Sequence, residues 1–184
     1  MLDITFRKPT LDDKEIIFSW LDKPHVHEFW DNSIDHRNDI NNFLEGRVTP
    51  SNYFNGIFTY WMGLINNEPF SFLLTSEIII NEDISEVWKN HMSKSGKTIT
   101  IDFCIGNEKF LGKKLASPTL EAFTKFYYEE VDEKANTFFI DPDENNPKAK
   151  HVYKKAGFKE VANFAFEKGV FEGNKASLMM KKLS

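Results

Sequence analysis

The most informative segment of the chain reads NPKAKHVYKKAGF and covers residues 146–158. Asn146 is a residue type that caps helix N-termini, and Pro147 stands where a first-turn proline is tolerated. Gly157 stands where helices end in the left-handed conformation. These signals predict a short helix over about 147–156. Tyr153 falls two turns beyond Asn146, which puts its hydroxyl on the same face of that helix.

Length and composition limit the class of protein. With 184 residues the chain is expected to form one domain, residues 1–184, with a core supplied by 18 Phe, four Trp and five Tyr. Lys and Arg total 23 against 28 Asp and Glu, a net charge of −5. This balance argues against a nucleic-acid partner and suits a cationic or amine substrate, although ordinary solubility explains it equally well.

The sequence also bears on compartment. No apolar run approaches the roughly 20 residues of a membrane span, and the start MLDIT lacks the basic then apolar order of a signal peptide. We therefore expect a cytoplasmic protein with no membrane partner. Cys104 is the single cysteine. It cannot form an internal disulfide, and its place in a strand-like run predicts a buried, inert thiol.

One compact cluster invites a metal hypothesis. His25, His27 and Glu28 lie within four positions of one another, and these residue types ligate metals. The sequence places no further ligands beside them, so we expect no metal site.

Strand-like and helix-like segments alternate along the whole chain without a linker or repeat. The clearest strand is 98–105, in which Ile99, Ile101, Phe103 and Ile105 alternate with polar residues and with Cys104. The remaining pattern predicts strands over 4–7, 57–65, 70–76, 137–141, 158–166 and 171–181, and helices capped near 10 and running to 21, then over 37–46, 84–91, 111–131 and 147–156.

The 146–158 segment resembles the late motif of the GCN5-related N-acetyltransferases. The matching positions are Asn146, Ala149, Tyr153, Gly157 and Phe158. The order of predicted elements resembles that family over nearly the whole chain. The resemblance implies an α/β (α+β) fold with a mixed, mostly antiparallel twisted sheet of about seven strands, flanked by about four helices and splayed between strands 4 and 5.

A second motif of the resemblance is the loop LGKKLA, residues 111–116. In the family it reads Gln or Arg, two residues, Gly, one residue, then Gly or Ala, and it opens a helix whose N-terminal amides bind a pyrophosphate. Leu111 and Lys114 depart from this pattern. Lys114 replaces the central Gly, so its side chain either obstructs the phosphate or points outward and adds charge beside Lys113. We favour the outward orientation.

The resemblance thereby implies acetyl-CoA as co-substrate. The residues implied to bind it are Phe103, Cys104, Ile105, Leu111, Gly112, Lys113, Lys114, Leu115, Ala116, Asn146, Ala149 and Tyr153.

The N-terminal third, together with two later pieces of the chain, resembles the aminoglycoside 6′-N-acetyltransferases and the lysine N-acyltransferases of siderophore assembly. The resembling pieces are Trp20-Leu21, HVHEFW at 25–30, Ile101-Asp102 and IDPDENN at 140–146. Carried over, they imply an acceptor site lined by Glu28, Trp30, Asp102 and Asp141.

The chemistry of amine acetylation explains why carboxylates are expected in such a site. A protonated amine is not a nucleophile, so the site must attract the cation and remove a proton as the amine attacks the thioester. We assign Asp141 as base, Asp102 as binding group and Tyr153 as acid for the leaving thiolate. Backbone N–H groups over 103–105 are predicted to stabilise the oxyanion. The alternative is structural: an aspartate before proline commonly starts a turn, and one on a polar strand face is often merely solvated.

The predicted function is transfer of an acetyl group from acetyl-CoA to a primary amine by direct attack, on an aminoglycoside-type polycation, with antibiotic resistance as the implied role. Three alternatives stay open: acylation of a lysine-like amine in siderophore synthesis, acetylation of protein N-termini, and a non-catalytic acyl-CoA sensor. The sequence leaves monomer and homodimer undecided.

Overall fold

A computed structural model describes residues 3–50, 53, 57–81 and 84–183. Within them lie seven strands and six α-helices, of which two are single turns. Their bounds are β1 Ile4–Arg7, α1 Lys14–Leu21, α2 Pro24–His27, α3 Ile34–Leu44, β2 Thr59–Ile65, β3 Glu68–Glu77, α4 Glu86–Lys89, β4 Lys97–Ile105, α5 Ala116–Phe126, β5 Ala135–Ile140, α6 Pro147–Lys155, β6 Lys159–Ala165 and β7 Lys175–Lys182.

The strands form one mixed sheet in the order β1-β2-β3-β4-β5-β7-β6. The β4–β5 pair is parallel, and the β1–β2, β2–β3, β5–β7 and β7–β6 pairs are antiparallel. The β4–β5 ladder covers Lys97 to Thr100, whereas β4 continues to Ile105. The predicted mixed, mostly antiparallel sheet is confirmed, and the ladder ends where the splay between strands 4 and 5 was expected.

The chain divides into two compact units, and the first comprises Met1–Ser76 and Phe103–Leu115. Its core joins aromatic and aliphatic side chains of α1, α3, β2 and β3, among them Ile17, Trp20 and Leu21 of α1. Strands β2 and β3 form a hairpin whose turn contains Asn66 and Asn67, which both have positive φ. Helix α3 begins at Ile34, three residues before the predicted start, because Ser33 Oγ accepts from the His36 amide and caps it there.

The second unit comprises Glu77–Asp102 and Ala116–Ser184. One of its core clusters consists of Ile78, Phe139 and Leu178, with Trp88 and Phe164 packed against them. Strands β6 and β7 are shorter than predicted, because residues 166–174 form the connection between them. Strands β3 and β4 each contribute residues to both units. The expectation that residues 1–184 form a single domain stays a prediction.

The helix predicted over 111–131 was wrong at its start. Helix α5 spans only Ala116–Phe126 and continues as a π-helical turn, Tyr127–Val131. Gly112 and Lys114 have φ of +72° and +59°. These angles lie outside the right-handed helical region, so residues 111–115 form a loop before the helix.

Helix α6 was predicted to within a residue. It spans Pro147–Lys155, and the Asn146 side chain accepts from the Ala149 amide at 3.0 Å. Gly157 follows with φ of +91°, the left-handed residue that the sequence required. Among the described residues, no helix combines the length and apolar character needed to cross a membrane.

Candidate active site

Two carboxylates lie at the carboxyl ends of the parallel strands of the second unit. Thr100 of β4 is in register with Phe139 of β5. Asp102 follows Thr100 by two residues and Asp141 follows Phe139 by two, so both carboxylates lie just past the last paired residues of the two strands. The charge of Asp102 raises the pKa of Asp141, as expected for neighbouring carboxylates.

Both carboxylates hold their protons more tightly than free aspartate. Loss of hydration in the folded protein raises the pKa of Asp102 to about 6, although its side chain is exposed by surface area. A carboxylate that touches water on one side still loses hydration where protein groups crowd its other sides. Desolvation first and Asp102 second raise the pKa of the half-buried Asp141 well above its usual range. Such a pair is suited to accepting a proton near neutral pH.

Tyr153 is held firmly on α6. Its side chain is 9% exposed, and its ring packs 6.4 Å from that of Phe158. Ser117 Oγ, in the first turn of α5, donates to the Val152 carbonyl at 2.9 Å and ties the two helices together. The helix therefore presents Asn146, Ala149 and Tyr153 from a fixed support within the second unit.

In the first unit, β4 ends in a β-bulge. The amides of Gly106 and Asn107 both donate to the Phe70 carbonyl, at 3.0 and 3.1 Å. Two consecutive N–H groups on one carbonyl bend a strand and re-aim the residues before it, here Phe103 to Ile105. Only glycine fits at 106, because a Cβ there would lie 2.2 Å from Trp20. The bulge was not predicted, although a Gly-Asn pair directly after a strand is a signal for one.

The loop before α5 is exposed to solvent over residues 111–114. Gly112 and Lys114 have positive φ, and Gly112, Lys113 and Lys114 are all exposed. Leu115 anchors the loop by packing with Ile65 and Phe70. Lys113 Nζ lies 5.3 Å from the Phe110 ring centroid. An exposed loop with two lysines is suited to a phosphate group.

The other candidate site residues of the first unit differ in how exposed they are. Glu28 is exposed. Trp30 is only 8% exposed and packs against His36 and Phe72, so contact with an acceptor uses at most an edge of its ring. Cys104 is half-buried and packs against the same core.

His25 has a role that the sequence did not indicate. Its Nε2 lies 2.9 Å from the carbonyl oxygen of Ile105, 80 residues away along the chain. Within the part of the chain that the structure describes, no group of three or more His, Cys, Asp or Glu is arranged to hold a metal. No local sequence pattern predicts a contact between residues so far apart along the chain.

A seven-stranded mixed sheet in this strand order, with a helix α6 capped by Asn146, agrees with the fold that the resemblance to N-acetyltransferases implied. The chain matches the family model described as an acetyltransferase (GNAT) domain over residues 10–166. It therefore belongs to the GNAT family, and it is an acetyl-CoA-dependent N-acetyltransferase.

Several aminoglycoside acetyltransferases are similar to this chain in sequence or in structure. Aminoglycoside N(6′)-acetyltransferase type 1 of Klebsiella pneumoniae is 24% identical over 155 residues, which are 84% of this chain and 73% of that protein. The crystal structure of an aminoglycoside N(6′)-acetyltransferase of Legionella pneumophila matches with a TM-score of 0.74 and 23% identity, covering 98% of this chain and 92% of that one. AAC(6′)-Ib in complex with paromomycin and acetyl-CoA matches with a TM-score of 0.73 and 21% identity, covering 98% and 93%.

Proposed function

We propose that this protein acetylates a primary amine of an aminoglycoside-type polycationic small molecule. The Asp102–Asp141 pair is the observation that carries the proposal. Two neighbouring carboxylates attract ammonium groups, and their raised pKa values suit one of them to take a proton from an amine. The net charge of −5 and the names of the relatives agree with a cationic acceptor.

Acetyl-CoA supplies the activated acetyl thioester. The exposed loop over 111–114, with its two lysines, suits the pyrophosphate of acetyl-CoA, and the helix that follows adds the positive end of its dipole. We propose that the other groups in contact with it are the backbone of Phe103, Cys104 and Ile105 and the α6 residues Asn146, Ala149 and Tyr153.

The proposed roles follow from charge. Asp102 binds and orients the acceptor ammonium, with Glu28 and the edge of Trp30 as further contacts. Asp141 removes the proton from the attacking amine, so that nitrogen bonds to the acetyl carbon. Backbone N–H groups over 103–105 stabilise the oxyanion, and Tyr153 gives a proton to the departing thiolate. The amide and free coenzyme A result without an acyl-enzyme.

Thiol release from acetyl-CoA tests the proposed acceptor. The purified protein is assayed with a disulfide reagent against kanamycin-like aminoglycosides, hydroxylated lysines and peptides with free N-termini. We expect rapid release with the aminoglycosides. Faster release with the lysines or the peptides would assign the enzyme to siderophore assembly or to protein N-termini, and binding of acetyl-CoA without release in any arm would indicate a sensor.

Asp102 is predicted to govern affinity for charged acceptors. The Asp102→Asn variant is expected to raise the KM of a polycationic acceptor by about tenfold, because one charge-assisted contact is lost. The KM of a neutral amine should change by less than about twofold, since no ion pair is lost. Steady-state kinetics on matched charged and neutral acceptors measures the difference. An equal loss for both would show that Asp102 does not bind charge.

Lys114 is predicted to assist cofactor binding through its charge. Glycine adopts positive φ without strain, so Lys114→Gly preserves the loop and removes only the side chain. We expect acetyl-CoA affinity to fall by about two- to fivefold at low salt and by less at high salt. Calorimetric titration measures it, with Lys114→Arg as the variant that retains the charge. Tighter binding by Lys114→Gly would mean that the lysine obstructs the phosphates.

A further inference from the structure

We propose that His25 is a positioning residue for acetyl transfer: it fixes the carboxyl end of β4, whose backbone amides are proposed to hold the reacting thioester. The inference rests on the proposed function and adds to it a residue of the first unit. The observation that carries it is the 2.9 Å contact between His25 Nε2 and the Ile105 carbonyl oxygen. A carbonyl only accepts, so Nε2 carries the proton and donates it to this bond.

The direction of the bond follows from the bulge. Gly106 donates to Phe70 of β3, so its amide faces β3. Backbone groups of successive strand residues point to opposite edges, which turns the Ile105 carbonyl to the other edge of β4. No strand of the first unit pairs with that edge in the described residues, and His25 supplies the hydrogen bond that a neighbouring strand would otherwise make there.

His25 is presented by a firmly anchored turn. Helix α2 starts with Pro24 at its first position, and Val26 is 2% exposed within the core of the first unit. Lys23, just before the helix, forms a 2.9 Å ion pair with Glu108, just beyond the bulge. The turn and the end of β4 are thus joined on both sides of the His25 bond.

The bulged end of β4 needs such an anchor. Gly106 and Asn107 share one acceptor, so the strand is less well paired there than in a regular ladder. Without the His25 bond the Ile105 carbonyl is free to turn, and the amides over 103–105 turn with it. Catalytic groups are sensitive to such shifts, since a displacement of about 1 Å costs up to about 100-fold in rate.

Three variants separate positioning from general stability. His25→Phe keeps an aromatic ring without a donor, and His25→Gln keeps an N–H donor. His27→Phe is the matched control, because His27 is exposed on the same short helix and has no proposed role. Acetyl-CoA affinity is measured by calorimetry, kcat and both KM values by thiol release, and folding by thermal unfolding.

We expect His25→Phe to lower kcat by about tenfold and to weaken acetyl-CoA binding by about threefold, with the acceptor KM unchanged. His25→Gln should recover most of the loss, and His27→Phe should match the wild type. The inference is overturned if His25→Phe matches the wild type, or if His25→Gln is as impaired as His25→Phe. Wild-type protein that binds acetyl-CoA but acetylates no amine would refute the proposed function, while the binding measurements would still test the His25 contact.

Discussion

Asp141→Asn is expected to lower kcat by about 100-fold or more, because general-base catalysis contributes on the order of 10²–10⁴ to such reactions. Asparagine keeps the size of the side chain and cannot take the proton of the attacking amine. The matched control is Asp143→Asn, two residues further along the same turn, where the Asp143 side chain accepts from the Asn145 amide. Steady-state thiol release with a polycationic acceptor measures both variants.

The effect of Asp141→Asn on the rate is expected to depend on pH. Asp141 acts as a base only when ionised, and its raised pKa moves that ionisation toward neutral pH. The wild-type rate should therefore fall as the pH drops through the pKa values of the Asp102–Asp141 pair, and Asp141→Asn should lose that part of the profile. The ratio of wild-type to variant rates should be largest above those values. A constant ratio from acid to alkaline pH would contradict the role of base.

Stability should move in the opposite direction to activity. Because the folded protein raises the pKa of Asp141, its ionisation costs free energy of folding at alkaline pH. Asp141→Asn is therefore expected to melt at a higher temperature than wild type at pH 8. The advantage should disappear as the pH falls toward the ordinary aspartate pKa of about 3.9, where both states are protonated. Thermal unfolding at several pH values tests this prediction, and a higher melting temperature for Asp141→Asn would show that its loss of activity is not caused by unfolding.

Tyr153→Phe is expected to have the second large effect, a loss in kcat of about 100-fold with acetyl-CoA affinity within about twofold of wild type. The thiolate leaves poorly without a proton, whereas the buried ring packs equally well without its hydroxyl. Tyr128→Phe is the control, because Tyr128 is 37% exposed and belongs to the same unit.

Rates and affinity separate the possible outcomes for Tyr153. An unchanged kcat would exclude the tyrosine as the acid. A loss of affinity as large as the loss of rate would assign the hydroxyl to binding rather than to proton transfer.

Sequence predicted the elements whose signals are local. The Asn146 cap, Pro147 and Gly157 fixed α6 to within a residue, and strict alternation fixed β4. The start of α5 was missed, because a helical pattern over 111–115 cannot reveal that Gly112 and Lys114 adopt positive φ. Non-glycine residues enter that region only where surrounding structure requires it.

The candidate site likewise contains residues that local motifs predict and contacts that they do not predict. Asp102 and Asp141 were predicted from motif positions, and the charge of Asp102 acts on the pKa of Asp141, so the two carboxylates are neighbours. The contact of His25 with Ile105 and the bulge at Gly106 depend on residues distant in sequence, so no pattern within a short window predicts them. The sequence also could not predict the burial of Trp30, because an aromatic residue at this position fits a pocket wall and a hydrophobic core equally well.

The most direct measurement is identification of the product formed from kanamycin and acetyl-CoA, by NMR and mass spectrometry, alongside quantified thiol release. We expect one new acetyl amide on an amine of the acceptor for each coenzyme A released, with both lost together in Asp141→Asn. Thiol release without an amide, or acetyl-CoA binding with neither product, would contradict amine acetylation of this acceptor class.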